Sequence, residues 1–218
     1  DYLVVSHLEP DHSANIKLIV EKYPNIKIIG TKKMFDMLPQ FFDIDLSEKI
    51  IIVGEGETIS TGKHKLQFFM APMVHWPEVM VTYEQTDKIL FSADAFGKFG
   101  ALDIQEEWTQ EARRYYINIV GRYGGQVQQL LKKVSNLDIQ TICPLHGPIL
   151  SENLGFYINL YDKWSKYEIE KQGVLIAYNS IYGNTRQAVE YLKEQLKKEG
   201  IEQVILTDLA RSDISKAV

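Results

Sequence analysis

His7-Leu8-Glu9-Pro10-Asp11-His12 is the stretch of this sequence that says most about its fold and its chemistry. It follows the apolar segment Tyr2–Val5, which predicts a short strand. Four of its six side chains are potential metal ligands. A loop at a strand end can aim several side chains into one cleft, whereas alternate residues within a strand all face one side of the sheet. The stretch therefore predicts a metal site in a polar loop after the first strand.

The sequence holds three further potential ligands, His75, Asp94 and His146. Each lies at or just after the end of a predicted strand. A single His or Asp in a loop is usually a solvated or capping residue, but that explanation fails for a set placed in this way. The remaining histidine, His64, is flanked by two lysines and is expected to be an ordinary turn residue. We expect one pocket to hold His7, Glu9, Asp11, His75, Asp94 and His146.

The predicted elements alternate as β-α-β at the start of the chain and continue as a run of strands followed by long helices. Helices are expected at Ala14–Tyr23, Lys32–Phe42, Glu107–Ser135, with an interruption near Gly121 and Gly124, and Ser151–Lys166. Strands are expected at Lys27–Gly30, Lys49–Val53, Leu66–Ala71, Val79–Glu84, Ile89–Ser92 and Thr141–Cys143, with a hairpin turn at Thr86-Asp87.

A second unit is expected after the charged stretch that ends at Gly173, which gives domains of residues 1–170 and 171–218. Its predicted elements are a strand at Val174–Asn179, an amphipathic helix at Thr185–Glu199 and an unpaired strand at Gln203–Thr207. The unit is too short for a complete doubly wound sheet. The chain also opens in a strand without an initiator Met, so we expect a fragment that lacks residues at both ends.

A Ser/Thr/Gly-rich loop lies between the first strand and the helix of this second unit. Backbone N–H groups at a helix N-terminus, with hydroxyl side chains and a permissive Gly, form a cradle for a phosphate monoester. The loop has neither the Lys of a P-loop nor a G-x-G-x-x-G pattern, which argues against ATP and dinucleotides. The expected phosphate-binding residues are Ser180, Ile181, Tyr182, Gly183, Asn184 and Thr185.

Composition excludes several classes of function. The formal net charge is −5 and the basic residues are scattered, so no stripe for binding nucleic acid is expected. No apolar run approaches the roughly 20 residues of a membrane span. The single cysteine, Cys143, is expected to be a buried strand residue. It allows no internal disulfide and favours a reducing cytoplasm.

The metal-binding pattern resembles the metallo-β-lactamase superfamily, whose hydrolases carry His-x-His-x-Asp-His followed by a His, a bridging Asp and a last His. Glu9 stands here at the second position, as in the flavodiiron branch. The resemblance extends to His75-Trp76-Pro77, Ser92–Gly97, Arg113–Gly121 and Pro144–Pro148. It implies an α/β and α+β architecture, in which a partial metallo-β-lactamase-like αββα sandwich precedes the start of a flavodoxin-like doubly wound parallel sheet.

The resemblance also implies a non-haem centre of two Fe ions. Its ligands would be His7, Glu9 and His75 for one iron, Asp11 and His146 for the other, and Asp94 as the bridge. His12 matches a position that is not a ligand in every member. The oxygen donors Glu9, Asp11 and Asp94 are hard anionic ligands, which favour iron over zinc. The apolar side chains Leu8, Trp76 and Phe96 are expected to limit the access of water.

As a flavodiiron protein, the chain would belong to an oxidoreductase that reduces O₂ to water or NO to N₂O. Electrons from a donor such as a rubredoxin-type protein or reduced deazaflavin would reach the irons through FMN, usually across a head-to-tail homodimer or a dimer of dimers. The loop at 180–185 would hold the FMN phosphate, and the ring-stacking loops would lie beyond Val218. The preferred gas and the physiological donor stay open.

Two other functions compete with this one. A two-zinc hydrolase would share the fold, but Glu9 argues against it. A non-catalytic electron carrier joined to a degenerate hydrolase fold would share the second unit, but the complete set of ligands argues against it.

Overall fold

The computed structural model of the chain describes residues 1–104 and 107–212. Within these ranges the chain forms three sheets and seven α-helices. None of the helices in the described residues is both long enough and apolar enough to cross a membrane.

The first sheet is parallel and is covered by helices on its outer face. Its strands, in spatial order, are β1 (Tyr2–Val4), β2 (Lys27–Gly30) and β3 (Ile50–Ile52). The helices are α1 (Pro10–Ser13), α2 (Ile16–Lys22) and α3 (Lys32–Met37), which continues into the 3₁₀ turn Leu38–Gln40. Ile16, Ile28 and Met34 belong to the apolar cluster that joins these helices to the sheet.

The second sheet has five strands and packs face to face against the first. Its strands, in spatial order, are β4 (Thr58–Ser60), β5 (Lys65–Met70), β6 (Met80–Glu84), β7 (Ile89–Phe91) and β8 (Thr141–Cys143). Pairing is antiparallel from β4 to β7, whereas β8 joins β7 in parallel. Ile29 and Val53, on the side of the first sheet, share a buried cluster with Phe68 and Met80 of the second.

A second helical layer covers the outer face of the five-stranded sheet and shares its large apolar core. Its helices are α4 (Trp108–Tyr115), α5 (Gly124–Val134) and α6 (Leu154–Ser165), with the π-helical segment Tyr116–Val120 and the 3₁₀ turn Gly121–Tyr123 between the first two. The layers therefore follow the order helix, sheet, sheet, helix. This confirms the αββα sandwich, in which the first sheet is parallel, the second is mixed and neither is closed into a barrel.

The third sheet contains β9 (Val174–Tyr178) and β10 (Val204–Asp208), which α7 (Asn184–Lys198) connects. The two strands pair in parallel over five residue pairs, so the expectation of an unpaired second strand is wrong. The crossover helix supplies the connection that a parallel pair requires. Residues 213–218 of the expected second unit lie outside the described residues.

The segment between α6 and β9 is held against α4 by a bidentate ion pair. Arg113 donates from Nε and Nη2 to the two carboxylate oxygens of Glu170, at 2.7 and 2.8 Å. The indole N–H of Trp164 donates to the same carboxylate at 2.6 Å. Two parallel bonds of this kind fix geometry as well as charge.

Proline positions account for two differences from the predicted elements. The stretch after β1 is not wholly a loop, because Pro10 at the first helical position starts the short helix α1. The helix expected from Ala14 therefore begins only at Ile16. The helix expected to reach Phe42 ends as α3 and a 3₁₀ turn, since Pro39 cannot donate a backbone hydrogen bond. Strand β4 is not among the predicted strands, because three residues are too few to establish an alternating pattern.

The expected interruption near Gly124 is confirmed and has a packing cause. An ideal Cβ on Gly124 would stand 2.4 Å from the carbonyl oxygen of Ser165. Only glycine therefore lets the start of α5 approach the end of α6 so closely. The hairpin turn at Thr86-Asp87 is also confirmed, and the Thr86 amide donates to the Glu84 carboxylate at 2.8 Å.

Candidate metal centre

The decisive stretch places four polar side chains beside the end of β1. His7 and Glu9 lie in the loop after the strand, and Asp11 and His12 lie in the first turn of α1. His7 is completely buried, whereas the Asp11 side chain is 49% exposed. The stretch therefore runs from the protein interior to the surface.

Three other strand ends meet the same place. His75 lies in the loop between β5 and β6, Asp94 follows β7, and His146 follows β8. Because β6, β7 and β8 are neighbours and β6 runs opposite to the other two, these three loops share one edge of the sheet. The Gly97 amide donates to the Asp94 carbonyl at 3.0 Å and closes a tight turn around the carboxylate.

Asp94 lies between two sets of histidines and is 1% exposed. Its Oδ2 is 3.3 Å from His7 Nε2 and 3.1 Å from His75 Nε2. Its Oδ1 is 3.1 Å from His12 Nε2 and 3.9 Å from His146 Nε2. Each carboxylate oxygen thus faces a different pair of imidazoles.

The carboxylates of Glu9 and Asp11 each lie near one of these two pairs of imidazoles. Glu9 Oε2 is 2.9 Å from His75 Nε2 and 3.5 Å from His7 Nε2. Asp11 Oδ2 lies 3.4 Å from His12 Nε2 and 3.3 Å from His146 Nε2. The residues form an inner group of His7, Glu9 and His75 and an outer group of Asp11, His12 and His146, with Asp94 between them. His12, whose role the sequence leaves open, lies in the outer group.

Electrostatics keep the shared carboxylate ionised. Burial alone would raise the pKa of Asp94, but the imidazoles of His12, His7 and His75 outweigh it and hold that pKa well below its usual range. Burial would likewise lower the pKa of His12 and of His75, yet the neighbouring carboxylates, Asp94 first, raise both. The same field attracts any cation that enters the site.

Several buried polar atoms at the centre have no hydrogen-bond partner within the part of the chain that the structure describes. They include His7 Nδ1, His12 Nε2 and Asp94 Oδ1, the last two being only 3.1 Å apart but not aligned for a hydrogen bond. Such atoms are costly to bury unless something satisfies them. Ligand atoms of His7, Glu9, His12 and Asp94 lie within 4.8 Å of one another, and so do those of the outer group, so His12 is close to both sets of donors. The donor set therefore fits two cations that share Asp94.

The apolar neighbours divide between core packing and the edge of the site. Leu8 is fully buried, and Phe96 packs on Tyr161 with ring centroids 4.4 Å apart, so both belong to the core. Trp76 is half-buried, and its ring centroid lies 6.3 Å from that of His7 in a T-shaped arrangement. Trp76 is thus the one of the three that stands beside the metal-binding side chains.

Tyr115 is a site residue that sequence reasoning missed. It is buried on α4, and its ring lies 5.6 Å from that of His146. Burial, with the charge of Asp94 added, raises the pKa of Tyr115 and keeps the phenol protonated. It lies within Arg113–Gly121, a stretch that carries the family resemblance, but its place beside the site depends on how α4 packs over the sheet.

The expected phosphate loop lies between β9 and the N-terminus of α7. The Ser180 hydroxyl is buried and accepts a hydrogen bond from the Arg186 amide at 3.2 Å. Gly183 takes a positive φ of 89°, a conformation that favours glycine, directly before the helix begins. Ile181 and Tyr182 are 77% and 90% exposed, so this loop is covered on one side only. Asn184 and Thr185 open the helix.

His64 and Cys143 lie apart from the centre. His64 is in the bend between β4 and β5, with Nδ1 3.3 Å from the Glu84 carboxylate, in agreement with its expected role as a turn residue. Cys143 is the last residue of β8 but is only partly buried, so the expectation of a buried thiol is wrong.

Comparison with known proteins identifies the family. Residues 1–147 match the ODP family of β-lactamase-like domains, and the chain belongs to that family. It is 32% identical over 230 residues to a nitric oxide reductase of Moorella thermoacetica, a match that covers 100% of this chain and 57% of the relative.

Solved structures agree. The crystal structure of the flavodiiron protein from Giardia intestinalis superposes with a TM-score of 0.90 at 29% identity, covering 99% of this chain and 54% of that one. The rubredoxin oxygen:oxidoreductase of Desulfovibrio gigas gives a TM-score of 0.89 at 27% identity, covering 99% and 56%. The chain therefore spans about half of the length of these relatives.

Proposed function

We propose that the chain is part of a flavodiiron oxidoreductase that reduces O₂ to water or NO to N₂O. The observation that carries this proposal is the position of Asp94, whose two oxygens face the inner and the outer group separately. A carboxylate placed in this way can bridge two metal ions. The names of the Moorella and Desulfovibrio relatives support one gas each, so both substrates belong to the proposal.

Residues 1–170 would form the domain that holds two iron ions. The inner group and Asp94 would bind one iron, and the outer group and Asp94 the other. His12 is included because its Nε2 is 3.4 Å from Asp11 and its ring lies 4.6 Å from that of His146. Glu9 supplies an oxygen donor where the related hydrolases carry histidine, which favours iron.

The residues of the chain would do three kinds of work at this centre. Two bound irons would supply electrons to a small diatomic molecule. Asp94 would fix the spacing of the two groups, and Tyr115 would hold a proton at its hydroxyl beside the site. Trp76 would shield the inner group from water. The side chains of Asp11 and His146, 49% and 34% exposed, would line the approach from solvent.

Residues 171–218 would form the beginning of a flavodoxin-like domain that binds FMN. The loop at 180–185 would hold the phosphate, since the backbone amides at the start of α7 and the buried Ser180 hydroxyl suit a phosphate monoester. A rubredoxin-type protein or reduced deazaflavin would supply electrons. A head-to-tail homodimer would bring the flavin of one copy to the irons of the other. A cytoplasmic location stays a prediction.

Metal and flavin analysis of the full-length protein would test the proposal together with catalysis. We expect about two irons and one FMN per chain, and consumption of O₂ or NO, assayed in parallel, when the flavin is chemically reduced. Two zinc ions with hydrolytic activity would favour the rival hydrolase instead. Flavin without metal, or with no gas consumption, would favour the electron carrier.

A further inference from the structure

Glu78 is a buried carboxylate for which the proposed chemistry has no use. It is 2% exposed and stands two residues before the start of β6 and three residues after His75. Its Oε1 accepts a hydrogen bond from the Leu8 amide at 2.8 Å. Its own carbonyl accepts one from the Thr31 hydroxyl at 3.2 Å.

The bond to Leu8 joins the two segments that carry the inner group. Leu8 stands between His7 and Glu9 in sequence, and Glu78 lies on the His75 loop. This hydrogen bond therefore fixes the backbone between His7 and Glu9 relative to the loop that carries His75. The bond touches neither the backbone of α1 nor the loop after β8, which carry the outer group.

A role in stability alone does not explain this side chain. Its Oε2 is buried and has no hydrogen-bond partner among the described residues. A buried carboxylate oxygen without a partner costs free energy, and an apolar side chain of similar size would avoid that cost. The feature that only Glu78 supplies is an acceptor placed 2.8 Å from the Leu8 amide.

We propose that Glu78 is the positioning residue of the inner group and sets the affinity of the inner metal position. The proposal rests on the proposed two-metal centre. Partners that orient metal ligands without touching the metal typically change metal affinity by about 10- to 100-fold when they are replaced. Ser13 of α1 also donates to the Leu8 carbonyl, at 2.8 Å, so the loss of the Glu78 bond acts mainly, and not exclusively, on the inner position.

Titration of the metal-free 218-residue chain with Co²⁺, followed by calorimetry and by the visible spectrum of the bound ion, tests this. The unmodified chain binds two Co²⁺. Glu78→Ala binds one as tightly as before and the other about 10- to 100-fold more weakly. Glu78→Gln keeps an oxygen acceptor in place and restores most of the loss. Glu78→Asp keeps the charge but withdraws the acceptor from Leu8, so it weakens the same position and serves if the alanine variant does not fold.

Glu84→Gln is the matched control. Glu84 is also a buried carboxylate that accepts from backbone amides, but it stands at the other end of β6. The Glu84→Gln variant lowers stability and leaves the Co²⁺ affinities of the inner and outer positions unchanged. Equal weakening of both positions in Glu78→Ala and Glu78→Asp, or two unchanged affinities, would overturn the role of Glu78 alone. An unmodified chain that binds no pair of Co²⁺ ions would overturn the metal centre itself.

Discussion

Asp94 is the residue that the two proposed metal positions share. Its two oxygens face separate pairs of imidazoles, whereas His12 contacts only the outer oxygen. We therefore expect Asp94→Ala to abolish the reductase activity and to lower the iron content at both positions. His12→Ala should keep the inner iron and part of the activity. Iron analysis and gas consumption on the same preparations measure both effects.

His64→Ala, which removes a histidine outside the centre, is the control for this pair and should change neither quantity. Activity that survives in Asp94→Ala would contradict the bridge. Equal and complete losses in Asp94→Ala and His12→Ala would mean that the outer position cannot form at all without His12.

For individual residues, the sequence predicts which metal-binding side chains come together, but not the neighbouring residues that position them. Histidines and carboxylates at strand ends point to a metal site by their chemistry and by their position. Glu78 and Tyr115 carry no such signal, because a buried carboxylate or phenol gains its role from tertiary contacts. The place of His12 in the outer group depends on α1, a helix that Pro10 starts where a loop was expected.

The start of α5 is held against the end of α6 by the absence of a side chain. A Cβ at Gly124 would meet the Ser165 carbonyl at 2.4 Å. We expect Gly124→Ala to lower the free energy of unfolding by about 1–3 kcal/mol, because backbone must shift to make room. Gly125→Ala is the control, since a Cβ there meets nothing within 4 Å. It should stabilise the helix by about 0.5–1 kcal/mol. Urea unfolding measures both, and equal effects would refute the packing cause.

The hairpin between β6 and β7 carries a dependence of stability on pH. Burial alone would raise the pKa of Glu84, but the backbone amides of Asp87 and Thr86 lower it to about 2. A carboxylate whose pKa is lowered by folding stabilises the protein above its unfolded pKa of about 4.3 and loses this contribution as the pH falls through the folded value.

Glu84→Gln should therefore cost about 1.5–3 kcal/mol at pH 7, the usual range for hydrogen bonds to a charged group. The difference from the unmodified protein should shrink between about pH 4 and about pH 2, where the native carboxylate becomes protonated. Urea unfolding at pH 7, 4 and 3 tests the sign. A difference that stays constant over this range would show that the charge of Glu84 contributes nothing.

Most elements could be predicted from periodicity, and the exceptions have local causes. Strand β2 was predicted with its observed limits, because Pro24 and Gly30 bound its apolar residues. Strand β4 could not be predicted, since its pairing with β5 stabilises three residues that have little burial of their own. The predicted end of α3 was wrong, because the apolar periodicity continues past Pro39 whereas the α-helical hydrogen bonds do not.

For the molecule as a whole, we expect the 218-residue chain to bind FMN weakly or not at all. Ligand sites usually bury 70–90% or more of a ligand of this size. The loop at 180–185 is covered on one side, with Tyr182 90% exposed, and the third sheet has two strands in the described residues. Titration with FMN, followed by quenching of flavin fluorescence, tests this. Tight binding of one FMN per chain would contradict it.

In the proposed enzyme, the ion pair between Arg113 and Glu170 would limit how the flavin unit moves. A slack tether would let the flavin unit swing and deliver electrons to the metals of its own chain by diffusion. The two parallel bonds, together with the Trp164 indole, leave no free joint at this point of the segment. In the proposed enzyme, a flavin unit held at this point would reach its acceptor by docking of two copies, so the supply of electrons would depend on how tightly the copies associate.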